Sequence, residues 1–359
     1  MHTNNVFYMM IGILLLSFVS VSCCMANNDD DTITVIDQRG KEVTIPSNVE
    51  RIVVIPKPSA SLLFTIDGTE ERIVGMHPDV KRLVEEGNIL GKIAPGLNDI
   101  STNFVKSGFE PNVEEVLKLE PDVIIQWGDR GDDIITPLEA TGIPTVGIVF
   151  GDFENTTTLY GKILGKEEQA AKLVDYHHNL HQEIMAVTSQ IPEQDKPRVL
   201  TTYRSNQDQF GLRGFDWIEL SGAINVADEL STYGDSANME QIIAWNPDII
   251  YIFASDDFTP EQVLNNDIEG QDWSSINAVK TGNVYAIPEG THWWGPPNQE
   301  IPLMWEWLVE IQHPELFDYD VRQDLVNFYL EYFDYSLSDE EIDTILCCDM
   351  NQGASCCCA

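Results

Sequence analysis

The stretch from Thr156 to Gln190 reads TTTLYGKILGKEEQAAKLVDYHHNLHQEIMAVTSQ. Leu159, Ile163, Ala170, Leu173, Val174, Leu180, Ile184 and Val187 recur at three- and four-residue steps, with Lys, Glu, Gln and His between them. That is the period of a helix with one apolar face. Thr156 or Thr157 can cap its start. Pro192 disfavours the α region at Ile191 and marks its end. At about 1.5 Å per residue an unbroken helix here is about 50 Å long, more than a small domain needs to cross its own sheet. It reads as a strut between two lobes, a linking helix over 156–191. The alternative is two ordinary helices parted at Gly161 or Gly165.

On both sides of this stretch the sequence alternates short apolar runs with helical patterns. Ile33 to Ile45 (ITVIDQRGKEVTI) is a hairpin turned at Gln38-Arg39-Gly40. Arg51–Ile55, Arg72–Met76, Asp122–Gln126 and Thr145–Phe150 are β-branched, nearly all-apolar strands of the kind a buried parallel sheet needs. The same grammar resumes beyond the helix, with strands at Arg198–Tyr203, Asp248–Phe253 and Asn283–Ile287. Apolar helices follow at Pro302–Gln312 and Val321–Tyr332, the last packing on the second lobe. The fold class is therefore α/β, two α/β lobes with central parallel sheets joined by a single long α-helix. The lobes are 33–155 and 192–335, with a signal segment 1–24, a tether 25–32 and an acidic, then Cys-rich tail 336–359.

An internal repeat supports two lobes. Glu114-Glu-Val-Leu-Lys-Leu-Glu-Pro121-Asp122-Val-Ile-Ile is echoed by Glu240-Gln-Ile-Ile-Ala-Trp-Asn-Pro247-Asp248-Ile-Ile-Tyr. In each, Glu opens a short helix, Pro lies seven residues on, and Asp leads into a buried strand.

Charge narrows the function. With 59 acidic against 20 basic residues the net charge is −39, which argues against nucleic acid as a partner. The acids are scattered, as on a solvated surface. Val6 to Val21 is an apolar run too short for a comfortable membrane span. It ends in Ser20-Val21-Ser22-Cys23, which resembles a lipobox with Cys23 as the lipidated residue; an uncleaved N-terminal anchor is the alternative. Either places the body of the chain outside the cytoplasm, anchored to the outer face of the cell membrane. The seven cysteines sit at the two ends, Cys23 and Cys24, then Cys347, Cys348 and Cys356–Cys358, so no disulfide crosses the body. The terminal cysteines read as a disordered or oxidised tail, with soft-metal chelation as the alternative.

The opener ITVIDQRGKEVTIPSNVERIVVI, both Glu-x6-Pro-Asp units, Trp273-Ser-Ser-Ile-Asn-Ala-Val-Lys-Thr-Gly-Asn-Val-Tyr285 and the segment ending His313-Pro-Glu-Leu-Phe317 resemble one family. It is the substrate-binding proteins of ABC importers for iron-siderophore complexes, haem and cobalamin, and the resemblance covers roughly residues 33 to 335. It implies a permease dimer with its ATPase as partner, a monomeric binding protein, and no catalysis or cofactor. Glu114 and Glu240 match the acids through which each lobe docks on the permease.

Ligand is then expected between the carboxyl ends of the two sheets. The first lobe offers Lys57, Ser59, His77, Trp127 and Arg130 there. The second offers Tyr203, Arg204, His292, Trp293 and Trp294. The indoles are platforms for a large planar or chelated ligand, and the arginines can meet carboxylates or phenolates. A ferric siderophore is the first expectation, with cobalamin or another corrinoid and molybdate or tungstate as alternatives. Of Trp293 and Trp294, one should face the core and one the cleft, because neighbours in extended chain point to opposite sides.

Enzyme readings find no support, since GxSxG, Walker A and GxGxxG are all absent. His177 and His181 stand at i, i+4 but lack the glutamate of a zincin. A surface scaffold or metal-scavenging protein is the rival of a different class, distinguished by a lack of small-molecule stabilisation.

Overall fold

A computed structural model describes residues 32–106, 108–204, 206, 209–212, 216–230, 235–255, 257–352 and 354. The export segment with Cys23, and Cys356–Cys358, lie outside them. The chain starts with the expected hairpin, β1 (Thr32–Ile36) and β2 (Glu42–Pro46), turned at Gly40 with φ 79°. Asp37 closes that turn by accepting from the Arg39 and Lys41 amides at 3.0 and 2.9 Å.

Strands β3 (Ile52–Val54), β4 (Ile73–Met76), β5 (Val123–Trp127) and β6 (Thr145–Ile148) form an all-parallel sheet in the order β4-β3-β5-β6. Successive residues feed two cores: Ile52, Val54, Val123 and Ile125 face one, Val53, Ile55 and Ile124 the other. Both faces are dry, which is why these strands show no polar alternation. The covering helices are α1 (Lys57–Asp67), α2 (Pro78–Glu85), α3 (Ile89–Ile93), α4 (Val113–Lys118) and α5 (Asp132–Glu139).

The stretch expected as one helix is two: α6 (Phe153–Leu164) and α7 (Glu167–Thr188). Gly165 adopts the left-handed region at φ 65°, and the Lys166 amide bonds back to the Gly161 carbonyl at 2.8 Å. This is a helix C-terminus built on glycine. The chain then reverses. Glu154, in the first turn of α6, bonds His177 midway along α7 at 2.9 Å. Gly161 permits the crossing, since a Cβ there would stand 2.5 Å from the Ala170 Cβ. Periodicity runs through both helices unchanged, so it could not reveal the reversal. The strut is α7 alone, about 33 Å for its 22 residues.

Beyond α7 lie β7 (Arg198–Arg204), β8 (Phe210–Leu212), β9 (Ile224–Asn225), β10 (Ser236–Ala237), β11 (Ile249–Ile252) and β12 (Val284–Ala286). The order is β10-β8-β7-β11-β12, with β9 beside β7. β7, β11 and β12 run parallel, while β8 and β10 add an antiparallel edge. Helices α8 (Trp217–Leu220), α9 (Met239–Trp245), α10 (Pro260–Leu264) and α11 (Asn277–Thr281) accompany the sheet.

The repeat has a structural basis. Asp122 accepts from the Arg51 amide at 2.9 Å, and Asp248 from the Arg198 amide at 3.0 Å. Each of these arginines then caps the helix before the aspartate, Arg51 at the Leu119 and Glu120 carbonyls and Arg198 at the Trp245 carbonyl. Glu120 and Asn246, each just before the repeat proline, both take φ 45°. One helix-to-strand joint is thus used twice.

Helices α12 (Ile301–Gln312), α13 (Val321–Phe333) and α14 (Asp339–Ile345) complete the chain. α12 is buried from Ile301 to Val309 and packs on α7. α13 does more than cover the second lobe, since Phe333 stacks on Phe64 of α1 at 6.0 Å. Residues 336–352, read from the sequence as the start of an acidic, then Cys-rich tail, are folded. A capping box of Ser338 and Glu341 starts α14. The buried Asn351 amide bonds both the amide and the carbonyl of Ala286 on the edge strand β12, at 2.7 and 2.9 Å. Cys348 is disulfide-bonded. The half-buried Cys347 thiol lies beside the Ile287 carbonyl, and desolvation pushes its pKa up to about 12. None of the described helices is long and apolar enough to cross a membrane.

Candidate ligand cleft

Every candidate from the first lobe sits at or just past the carboxyl end of a strand. Lys57 opens α1 after β3, and its ammonium pairs with Asp79. Burial opposes the Asp79 charge, but the Lys57 hydrogen bond and charge outweigh it and hold the pKa below the usual carboxylate range. Trp127 ends β5. Its indole meets Phe109 edge-on at 5.9 Å and Phe150 at 5.8 Å. Arg130 lies over all three rings, its guanidinium carbon 4.7 Å from Trp127, 5.0 Å from Phe109 and 5.4 Å from Phe150. The Lys57 ammonium is 5.7 Å from the same Phe109 ring. Two cations thus rest on one aromatic bed, an arrangement favoured by the ring quadrupoles. Phe109 and Phe150 were not read from the sequence, because Phe109 belongs to an irregular loop and Phe150 reads as the end of a strand.

The remaining candidates belong to the second lobe. Tyr203 lies opposite Gly211 on β8, where a Cβ would stand 2.0 Å from the ring, so glycine makes room for it. Arg204 ends β7 and bonds the Asp257 carbonyl at 2.8 Å and its carboxylate at 3.1 Å. The loop after β12 is closed by an antiparallel bridge between Glu289 and Trp293. Its tip is pinned by the buried Glu300, which accepts from the Thr291 amide at 2.7 Å and from Tyr329 at 2.6 Å. Trp293 is 38% exposed and Trp294 fully buried, the division expected for adjacent indoles in extended chain. Burial pushes His292 down to about 4, and the Lys57 charge across the cleft acts in the same direction.

Five sequence candidates are occupied structurally and show almost no surface to a ligand in this conformation. Ser59 accepts from Tyr160 at 2.7 Å inside the core. His77 caps α2 by accepting from the Asp79 amide at 3.1 Å and bonds the Gly108 carbonyl at 2.7 Å, so it is a loop fastener. His292 is sealed beneath Trp293, and Trp294 is a core plug. Trp127, 4% exposed, serves as a floor under Arg130. Lys57, Arg130, Tyr203, Arg204 and Trp293 keep surface to offer. His177 is engaged by Glu154 and Trp305, and His181 by Trp305. A cavity of about 30 Å³ lies between Pro58, Ser59, Trp127, Phe150 and Pro297, room for water and nothing larger. A wider recess of about 360 Å³ lies between the β1–β2 turn and α6, outside the inter-lobe space.

Two sheets with parallel strands, joined by a helix, have clear relatives. The sequence model of the family described as periplasmic binding protein matches residues 99–291. The chain is a periplasmic binding protein. A periplasmic solute binding protein from Veillonella parvula superposes with a TM-score of 0.80 at 35% identity, covering 90% of this chain and 99% of that one. The molybdate-binding protein MolA of Haemophilus influenzae is 25% identical over 328 residues, 83% of this chain and 90% of its own length. The Fe(3+)-citrate-binding protein YfmC of Bacillus subtilis is 23% identical over 308 residues, 80% of this chain and 91% of its own. This periplasmic binding protein is therefore the extracytoplasmic substrate-binding component of an ABC importer, a binding protein and not an enzyme. A permease and a small ligand are its partners. Glu114 and Glu240 are both exposed, each in the first turn of its repeat helix.

Proposed function

We propose that the cleft captures an anionic ferric chelate, held between the aromatic bed of the first lobe and Trp293 of the second. The observation that carries this reading is the placement of cations. In a chain with only 20 basic residues, Lys57, Arg130 and Arg204 all stand at the carboxyl ends of the sheets. Arginine meets carboxylate or phenolate oxygens in a bidentate fashion, and the half-exposed Trp293 offers a flat apolar face. The kinship to an Fe(3+)-citrate-binding protein supports the same class. A second reading, a compact oxyanion of the molybdate type, is favoured by the similarity to MolA.

In this reading the lobes are 33–155 and 192–335. Cys23 or the N-terminal apolar run holds the chain at the membrane, and Glu114 and Glu240 dock it on the two permease subunits. Native mass spectrometry of the protein isolated from its own host tests the ligand directly. A bound mass carrying iron supports the first reading, and a bound molybdenum or tungsten oxyanion supports the second. A corrinoid mass overturns both.

A further inference from the structure

One residue of the ligand loop reaches across to the other lobe. Glu289 Oε2 accepts from the Trp293 indole N–H at 2.6 Å, and its Oε1 accepts from Asn88 Nδ2 at 3.1 Å. Asn88 belongs to the first lobe, where its Oδ1 caps α3 by accepting from the Leu90 amide at 2.8 Å. Because the oxygen is committed to the cap, the amide orientation is fixed and the NH2 must point at the second lobe. There it also donates to the Gly290 carbonyl at 2.8 Å. On its other side the Glu289 amide is held by the Ile345 carbonyl at 2.9 Å, so the C-terminal segment braces the same residue. The Trp293 ring rests on Phe253 at 5.8 Å. The indole that keeps surface for a ligand is thus held by a carboxylate that is itself held by the opposite lobe.

We infer that Glu289 is a positioning residue that couples lobe separation to the orientation of Trp293, with Asn88 as its contact on the first lobe. Moving the lobes apart breaks the Asn88 bonds first, because these cross the cleft, while the Glu289–Trp293 bond lies within one lobe. A carboxylate that loses Asn88 keeps one partner fewer and rotates more freely, and the indole goes with it. This inference takes Trp293 as a ligand contact from the reading above, but the contact chain itself can be tested without a ligand.

The test uses a polarity swap. Asn88→Asp keeps the helix cap, since Asp caps as well as Asn. It also sets a carboxylate against Glu289 and removes both cross-lobe donors. Glu289→Gln leaves a side chain with one acceptor where two are needed. In the double variant N88D/E289Q the Gln amide donates to the Asp carboxylate while its oxygen accepts from Trp293, so the side-chain bridge is restored with reversed polarity. Acrylamide quenching of tryptophan fluorescence should rise in each single variant and return toward wild type in the double. The same changes should vanish in a Trp293→Phe background, which assigns the signal to that indole. Affinity for ferric citrate or molybdate, whichever binds wild type, should fall about tenfold in N88D and recover in the double, as for loss of a charge-assisted hydrogen bond. Unchanged quenching in N88D, or a double variant no closer to wild type than the singles, overturns the coupling. If neither ligand binds wild type while the quenching pattern holds, the proposed ligand class fails and the coupling stands.

Discussion

Glu306 gives a quantitative test of the packing between α12 and α7. Its side chain is 4% exposed and Oε2 has no hydrogen-bond partner. Burial raises its pKa from 4.5 to about 8, and the negative charges of Asp324, Glu183 and Glu310 push the same way. The sign follows from linkage. The unfolded carboxyl ionises near 4.5 and the folded one near 8, so between these values the unfolded state is favoured increasingly as pH rises. At about 1.4 kcal/mol per pKa unit, the penalty at pH 7 is about 3 kcal/mol, and it levels off above pH 8. Glu306→Gln removes the ionisation with little change of shape. It should leave stability near wild type at pH 4.5 and exceed it by about 3 kcal/mol at pH 7. Guanidinium melts of both proteins from pH 4.5 to 8.5 measure the difference, and other titrating groups cancel. Parallel stability profiles would refute the reasoning, since they would mean that Glu306 is solvated or already charged in the folded protein.

The two indoles of the ligand loop should separate by role. Trp294→Ala should destabilise the fold by about 3–5 kcal/mol in chemical denaturation, as for a fully buried aromatic. Trp293→Ala should leave stability nearly unchanged and weaken ligand binding by about 1–3 kcal/mol in calorimetric titration. Gly161→Ala, which forces a methyl against Ala170, should cost about 1–3 kcal/mol in the same melts. A neutral effect there would mean α6 and α7 do not cross so closely. Glu114→Lys and Glu240→Lys should lower stimulation of the reconstituted importer's ATPase while ligand affinity in the free protein stays at the wild-type value. Equal loss of both would place these residues in the cleft instead.

The architecture was legible wherever a residue's local pattern determined its environment. The runs at 52–54, 123–127 and 249–252 are apolar without alternation because both sheet faces are covered, and the sequence shows this directly. The repeat was legible because Asp122 and Asp248 perform one backbone-capping task in each lobe. The reversal at Gly165 was not, since an αL glycine and a tolerated helical glycine look alike until the neighbouring helix is seen. Nor was the docking of residues 336–352, anchored by Asn351 bridging to a strand some sixty-five positions earlier and by the Ile345 carbonyl on the Glu289 amide. The cleft candidates were named from strand ends alone. Which of them keep surface depended on long-range partners. Ser59 is taken by Tyr160 and His77 by Gly108, and neither pairing has a sequence signal. Asn88 and Glu289 escaped notice because an N-cap and a turn glutamate are sufficient explanations of each alone.

In the proposed function the basic groups at the strand ends select an anion. Isothermal titration of ferric citrate, sodium molybdate and cyanocobalamin into wild type, Arg130→Ala and Arg204→Ala tests it most directly. Wild type should bind one of the two anions, each Arg variant should weaken this by about tenfold or more, and added salt should weaken it further. Binding of cyanocobalamin in preference to either anion, or anion affinity indifferent to both arginines, would contradict it.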